Sequence, residues 1–126
     1  AGIPFVQARA ASVVEMDDVT IGQGACLSPF VTLASNIRIG SYFHANLYSY
    51  VEHDCVIGDY VTFAPGAQVN GNVTIGDHAY IGSGAVVRQG ITIGAGATIG
   101  MGAVVIRDVP AGTTVVGNPA KRLIKD

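Results

Sequence analysis

The sequence predicts an all-β fold, a solenoid in which short parallel strands form stacked triangular coils. Fifteen residues spaced six apart, from Ile21 to Val105, are all apolar. The residue two places before each of them is apolar or small. Glycine recurs every eighteen residues from Gly22 to Gly94, which adds a second period to the first. Periods this strict indicate repeats that bury their apolar sides only by stacking on their neighbours.

Each six-residue unit is predicted to be one short strand followed by one corner. Side chains alternate along a strand, so the two apolar positions of a unit point to the same side, the interior. Three places later come residue types that tolerate the positive φ of a tight corner. They are Gly24, Asn36, Asp54, Gly66, Asn72, Gly84, Gly90, Gly96, Gly102 and Asp108. Three strands and three corners give a coil of eighteen residues, so residues 19–108 hold five coils. A β-sandwich is disfavoured, because its turns are irregularly spaced.

The two ends of the chain depart from this rhythm. Residues 1–18 keep the apolar spacing only loosely, and we expect an irregular lead-in coil that caps the stack. Residues 109–126 are predicted to form a C-terminal cap and tail, because Pro110 and Pro119 stop regular strand pairing. The chain opens at Ala1 without Met, so we expect a processed product or a piece of a longer protein.

Size and composition exclude several classes of function. A chain of 126 residues predicts one domain. Its formal net charge is −2 with only seven Lys and Arg, so no basic stripe suggests nucleic acid. Gly and polar residues break every apolar run, so we expect no membrane span and no secretory signal. Cys26 and Cys55 occupy different registers of the repeat, which favours two reduced thiols in a cytoplasmic protein.

One corner carries a set of side chains with catalytic potential, Glu52-His53-Asp54. Its neighbours on the adjacent coils, eighteen residues away, are Ser35 and Gly71, which are small and leave space beside His53. A carboxylate next to an imidazole fixes its tautomer and raises its basicity, which suits a general base. The alternative at this stage is a solvated corner histidine beside a turn-forming aspartate.

Two segments carry a family resemblance. Residues 46–65 read NLYSYVEHDCVIGDYVTFAP, and the chain later reads VVGNPAKR. Both resemble the bacterial hexapeptide-repeat acyltransferases of the sialic acid O-acetyltransferase type, and most of all the N-acetyltransferases of UDP-linked 4-amino-sugars. The resemblance implies a left-handed parallel β-helix of five to six coils, acetyl-CoA as co-substrate and a homotrimer with its site between subunits. Relatives also carry an N-terminal nucleotide-sugar domain, and we expect these 126 residues to correspond only to the C-terminal catalytic domain.

The same resemblance assigns roles to individual residues. His53 would be the catalytic base, and Asp54 would raise its basicity. Asn46 and Gly71 would line the acceptor pocket. The acetyl-CoA contacts of the family would fall on Thr62, Ser83 and Met101. The repeat itself places Gly82 and Gly100 beside Ser83 and Met101, where we expect them to leave a groove, and we expect Lys121 to reach the CoA phosphates. No metal is expected at this site.

Three other functions stay open. The first is transfer of acetyl to a sugar hydroxyl, for example on sialic acid. The second is a β-helical assembly module without catalysis. The third is a zinc hydratase, which the histidine spacing disfavours: His44, His53 and His78 lie 9 and 25 residues apart, without a close pair.

Overall fold

The computed structural model describes residues 7–124, which form a prism with three sheets as its faces, parallel except for one antiparallel pair of strands at the C-terminal end. The first face contains β1 (Ala8–Arg9), β4 (Cys26–Leu27), β7 (His44–Ala45), β10 (Thr62–Phe63), β13 (Tyr80–Ile81), β16 (Thr98–Ile99), β18 (Thr114–Val116) and β19 (Lys121–Arg122). The second face contains β2 (Val14–Glu15), β5 (Thr32–Leu33), β8 (Tyr50–Val51), β11 (Gln68–Val69), β14 (Val86–Val87) and β17 (Val104–Val105). The third face contains β3 (Val19–Ile21), β6 (Ile37–Ile39), β9 (Val56–Ile57), β12 (Thr74–Ile75) and β15 (Thr92–Ile93).

The register of the strands confirms the predicted parallel β-helix. Thr62 pairs with Tyr80 and Gln68 pairs with Val86, in each case eighteen residues further along the chain. The two apolar positions of each unit are buried, as Val61 and Phe63 illustrate at 0% exposure. The interior is therefore an almost continuous apolar column, in which the buried Ser49 hydroxyl is satisfied by donating to the Asn46 carbonyl. Its left-handed sense stays an expectation from the family resemblance.

The corners follow the predicted spacing but not always the predicted residue types. Every sixth residue from Asp18 to Gly102 has a positive φ. Four of these are bulky aromatics, which rarely adopt this conformation: Phe30, Tyr42, Tyr48 and Tyr60. Their rings stack on the corner residue eighteen places away, with centroids about 5 Å apart, and this stacking offsets the backbone strain.

The two ends of the stack differ from the prediction. Regular pairing already begins in the predicted lead-in, where Ala8 pairs with Cys26 and Val14 with Thr32; residues 1–6 lie outside the described part. At the other end the last coil is two residues short, so Ile99 pairs with Val115. Asp108 consequently has no positive φ, and its carboxylate instead accepts the Thr92 N–H at 2.8 Å.

The coils meet at three edges, which position the site. We call them the first edge (residues 28–31, 46–49, 64–67, 82–85 and 100–103), the second edge (16–18, 34–36, 52–55, 70–73, 88–91 and 106–108) and the third edge (22–25, 40–43, 58–61, 76–79 and 94–97). Between its corners each coil is a flat two- or three-residue strand. The second face therefore separates the first edge of one chain from its second edge. About five extended residues, counting the ends of the two corners, cross this face, which corresponds to roughly 15 Å.

Candidate active site

The second edge holds His53 and Asp54 as a hydrogen-bonded pair. His53 Nδ1 lies 2.8 Å from Asp54 Oδ2, and both side chains are about half exposed. The carboxylate accepts a hydrogen bond from Nδ1–H, which selects the tautomer with its lone pair on Nε2. This pair can orient an imidazole so that its free nitrogen takes a proton from solvent or from a bound molecule.

The carboxylate of Asp54 is itself held in place from the coil below. Asn36 Nδ2 donates to Asp54 Oδ1, the oxygen that His53 does not use. The pKa of Asp54 is lowered from its usual value, first by the hydrogen bond from Asn36 and then by that from His53. Asp54 thus stays ionised beside the imidazole.

Gly71, on the coil above, leaves the space that the imidazole ring occupies. A Cβ built at this glycine would lie 2.5 Å from Cε1 and 2.6 Å from Nε2 of His53. The absence of a side chain at Gly71 therefore allows the ring to adopt this position. The predicted space beside His53 is present, and the imidazole ring itself occupies it.

Asn46, predicted to share the pocket with His53, lies on the first edge instead. Its side-chain amide donates to the Phe63 carbonyl at 2.8 Å, and its own carbonyl accepts the Ser49 hydroxyl at 2.8 Å. Both bonds tie the corner together. Within one chain Asn46 and His53 are on different edges and are not brought together.

The predicted acetyl-CoA contacts also lie away from His53. Thr62 points outward on the first face between His44 and Tyr80. Ser83 and Met101 are exposed and stack on the first edge, where Gly102 N–H donates to the Ser83 carbonyl.

The glycines beside these residues are of two kinds. A Cβ at Gly82 would lie 2.6 Å from backbone atoms of the next coil, and one at Gly100 would lie 2.8 Å from Val116 Cγ1. Their missing side chains therefore face the next coil and not the groove that the sequence predicted. The open positions are Gly84 and Gly102, where an added Cβ meets nothing within 4 Å.

Basic residues gather at the C-terminal end of the stack. Lys121 and Arg107 line one small depression, and Arg107 lines a second one with Arg88 and Gln89. Arg107 occupies the same corner position as His53, three coils further on. Of these residues only Lys121 is predicted from the sequence as a cofactor contact, although the eighteen-residue spacing from His53 also leads to Arg107.

An apolar surface covers the N-terminal half of the first edge and the adjoining second face. Its large exposed side chains are Val14, Met16, Phe30, Leu47 and Tyr48. Tyr50, on the adjoining second face, is partly buried, and its hydroxyl lies within 3.3 Å of the Gln68 and Asn70 side chains. A surface of this kind indicates contact with another molecule.

The remaining candidate residues take structural positions. His44 is exposed on the first face, and His78 stacks on Tyr60 at the third edge. Cys55 is buried, and Cys26 is exposed with no disulfide between them. Across residues 7–124 no cluster of three or more His, Cys, Asp or Glu side chains could hold a metal ion. No helix in that range is long and apolar enough to cross a membrane.

Comparisons with known proteins agree with this architecture. Residues 72–107 match the family model described as bacterial transferase hexapeptide (six repeats). The chain is 58% identical over 127 residues to the GDP-perosamine N-acetyltransferase of Escherichia coli O157:H7, which covers 97% of this chain. The structure superposes on PerB from Caulobacter crescentus in complex with CoA and GDP-perosamine, with a TM-score of 0.94, 34% identity and 97% of this chain covered. It also superposes on the acetyltransferase domain of PglB from Neisseria gonorrhoeae in complex with acetyl coenzyme A, with a TM-score of 0.90, 34% identity and 97% coverage.

The chain spans only part of each of these proteins. It covers 58% of the E. coli relative, 59% of PerB and 60% of the PglB chain. The repeat, the stacked coils and these likenesses agree with one another. The chain therefore belongs to the bacterial hexapeptide-repeat transferases.

Proposed function

We propose that this chain transfers the acetyl group of acetyl-CoA to the amino group of a nucleotide-linked amino sugar. The observation that carries the proposal is the His53–Asp54 pair, in which Asp54 holds Nδ1 and leaves Nε2 as the proton acceptor. The likeness to a GDP-perosamine N-acetyltransferase supports this acceptor class. The family resemblance in the sequence favours a UDP-linked sugar, whereas the names of the relatives favour a GDP-linked one. We therefore adopt GDP-perosamine as the first acceptor to test.

The proposed chemistry is direct transfer, with His53 as general base. The acceptor nitrogen attacks the thioester carbonyl while Nε2 takes its proton, and the C–S bond then breaks with return of that proton to the leaving sulfur. The Asp54 carboxylate holds Nδ1–H and stabilises the imidazolium that forms between the two steps. Cys55 is buried and Cys26 lies on the first face, so neither is a candidate acyl carrier.

We further propose that the site is completed by a second copy of the chain in a homotrimer. The base is on the second edge, while Asn46, Ser83 and Met101 are on the first edge. Packing the second edge of one copy near the first edge of the next would bring them together, and three such contacts close a ring. The exposed apolar surface around Leu47 and Tyr48 supports burial against a neighbour.

The donor nucleotide would lie toward the C-terminal end of the stack. Lys121, Arg107 and Arg88 supply positive charge there, in a chain with only seven Lys and Arg. An extended pantetheine arm would pass the open positions Gly84 and Gly102. Thr62, Gly82 and Gly100 stay predicted contacts.

A product assay tests the activity. The intact protein is incubated with acetyl-CoA and, separately, GDP-perosamine, a UDP-4-amino-sugar or sialic acid, and products are weighed by mass spectrometry. We expect an acetylated product from a nucleotide-linked amino sugar, stable to alkaline hydroxylamine, which cleaves esters but not amides. A hydroxylamine-labile product would favour the O-acetyl alternative. The absence of any product and of acetyl-CoA binding would favour the non-catalytic assembly module.

Subunit mixing tests the shared site. The His53→Ala chain lacks the base, and the Ser83→Trp chain carries bulk at an exposed position of the first edge. Mixed trimers of two inactive chains should regain part of the activity, because some interfaces hold two intact edges. A monomer by light scattering at the assay concentration, or no regain on mixing, would contradict the shared site.

A further inference from the structure

The structure assigns a role to Asn36, and this inference rests on the proposed function: we propose that Asn36 is a positioning residue, which holds the Asp54 carboxylate in the orientation that His53 needs. Its side-chain amide donates to Asp54 Oδ1, while Asp54 Oδ2 faces His53 Nδ1 at 2.8 Å. The three side chains form one chain of hydrogen bonds across two coils.

The local backbone supports this arrangement from both sides. Asn36 and Asp54 occupy the same corner position on successive coils, with φ of 60° and 59°. Asp54 N–H donates to the Ser35 carbonyl at 3.1 Å, and Asn72 N–H donates to the His53 carbonyl at 2.9 Å. The corner that carries the dyad is therefore pinned to the coils below and above.

Pinning the backbone does not by itself fix the carboxylate. The Asp54 side chain is 43% exposed and could otherwise rotate toward water. The amide of Asn36 occupies one oxygen and leaves the other directed at the imidazole. An amide also donates without a charge of its own, so the full negative charge of Asp54 stays available to an imidazolium. A lysine or arginine at this position would neutralise that charge.

The matching residue on the coil above provides a control. Asn72 has nearly the same backbone conformation, with φ of 58°. Within residues 7–124 its side chain makes no hydrogen bond to Asp54. Glycine tolerates this φ without strain, so Asn36→Gly and Asn72→Gly remove the two amides with equal consequences for the backbone.

The experiment measures kcat and KM for acetyl-CoA and GDP-perosamine in the intact protein, for both glycine variants in the wild-type and Asp54→Gly backgrounds. We expect Asn36→Gly to lower kcat about fivefold, a loss typical of removing one member of a directly hydrogen-bonded pair. KM should change less than about twofold. Asn72→Gly should be close to wild type. In the Asp54→Gly background Asn36→Gly should have no further effect, because the carboxylate that it positions is gone.

Two results would overturn the inference. One is an equal effect of Asn36→Gly and Asn72→Gly. The other is the same loss from Asn36→Gly with and without Asp54. His53→Ala is assayed alongside: if it is inactive while Asn36→Gly is normal, only the positioning role fails. If His53→Ala is fully active, the proposed base fails and the positioning role fails with it.

Discussion

Replacing Gly71 by alanine should impair the base while leaving the fold intact. The three atoms nearest to a Cβ at this position all belong to the His53 ring, at 2.5 to 3.1 Å. Carbon atoms in contact prefer about 3.5 Å, so the ring must move by about 1 Å. The ring is an exposed side chain and can move, so the backbone need not. A displacement of this size at a reacting group costs about 10²-fold in rate.

Two measurements check this prediction separately. Turnover of GDP-perosamine and acetyl-CoA should fall about 10²-fold in Gly71→Ala. The free energy of unfolding from urea titration should change by no more than about 0.5 kcal/mol, because the three atoms nearest to the added methyl group belong to the exposed His53 ring, which can move. Ser35→Ala is the matched control. Ser35 occupies the same corner position one coil below His53, and its backbone carbonyl, which alanine keeps, accepts the Asp54 N–H.

The loss of turnover in Gly71→Ala should arise from displacement of the His53 ring. In a His53→Ala background the ring is absent, so the added methyl group should cause no further loss of the residual rate. A further loss there would mean that Gly71 admits the acceptor directly. Normal turnover of Gly71→Ala in the wild-type background would refute the placement of the base in this niche.

Three further outcomes are expected. Gly82→Val should lower the urea midpoint and not raise the KM for acetyl-CoA selectively, because its side chain would collide with the backbone of the next coil; a selective KM effect in a fully stable variant would contradict this. Lys121→Ala should weaken CoA binding and reduce its salt dependence, measured by calorimetry at two ionic strengths; an unchanged salt dependence would place the phosphates elsewhere. The pKa of Asp54 is lowered in the folded state, so its contribution to stability is present above the unfolded value near 3.8 and is lost as pH falls through the folded pKa. The urea midpoint should therefore fall more between pH 6 and pH 2 in wild type than in Asp54→Asn, and equal falls would argue against the hydrogen bonds at Asp54.

The regular part of the fold was predictable because one period determines it. The six-residue spacing gave the buried positions, and the eighteen-residue spacing gave the neighbours of His53 on the adjacent coils. The same spacing puts Asn36 directly below Asp54, because residues eighteen apart occupy the same corner on successive coils. The periodicity does not indicate which way a side chain at each corner glycine would point. Gly82 and Gly84 look alike in sequence, yet one faces the next coil and the other faces solvent.

The aromatic corners show a second limit. Local preference argues against Tyr42 and Tyr60 at a positive φ. Their stacking on each other is a tertiary interaction between residues eighteen apart, and it overrides that preference. The same holds at the N-terminal end, where Val14 pairs regularly with Thr32 although the apolar rhythm there is loose.

The shape of the prism links the proposed catalysis to assembly. The interior is filled with apolar side chains at nearly every level, so functional groups are confined to the outside of a convex body. Side chains on two different edges of such a body point away from each other. His53 on the second edge and Ser83 on the first edge therefore cannot converge within one chain, whatever their rotamers. A pocket that uses both would therefore need a neighbouring copy, as in the proposed trimer. A variant that weakens the proposed contact around Leu47 and Tyr48 should then lose activity as it loses that trimer, with His53 and Asp54 unchanged.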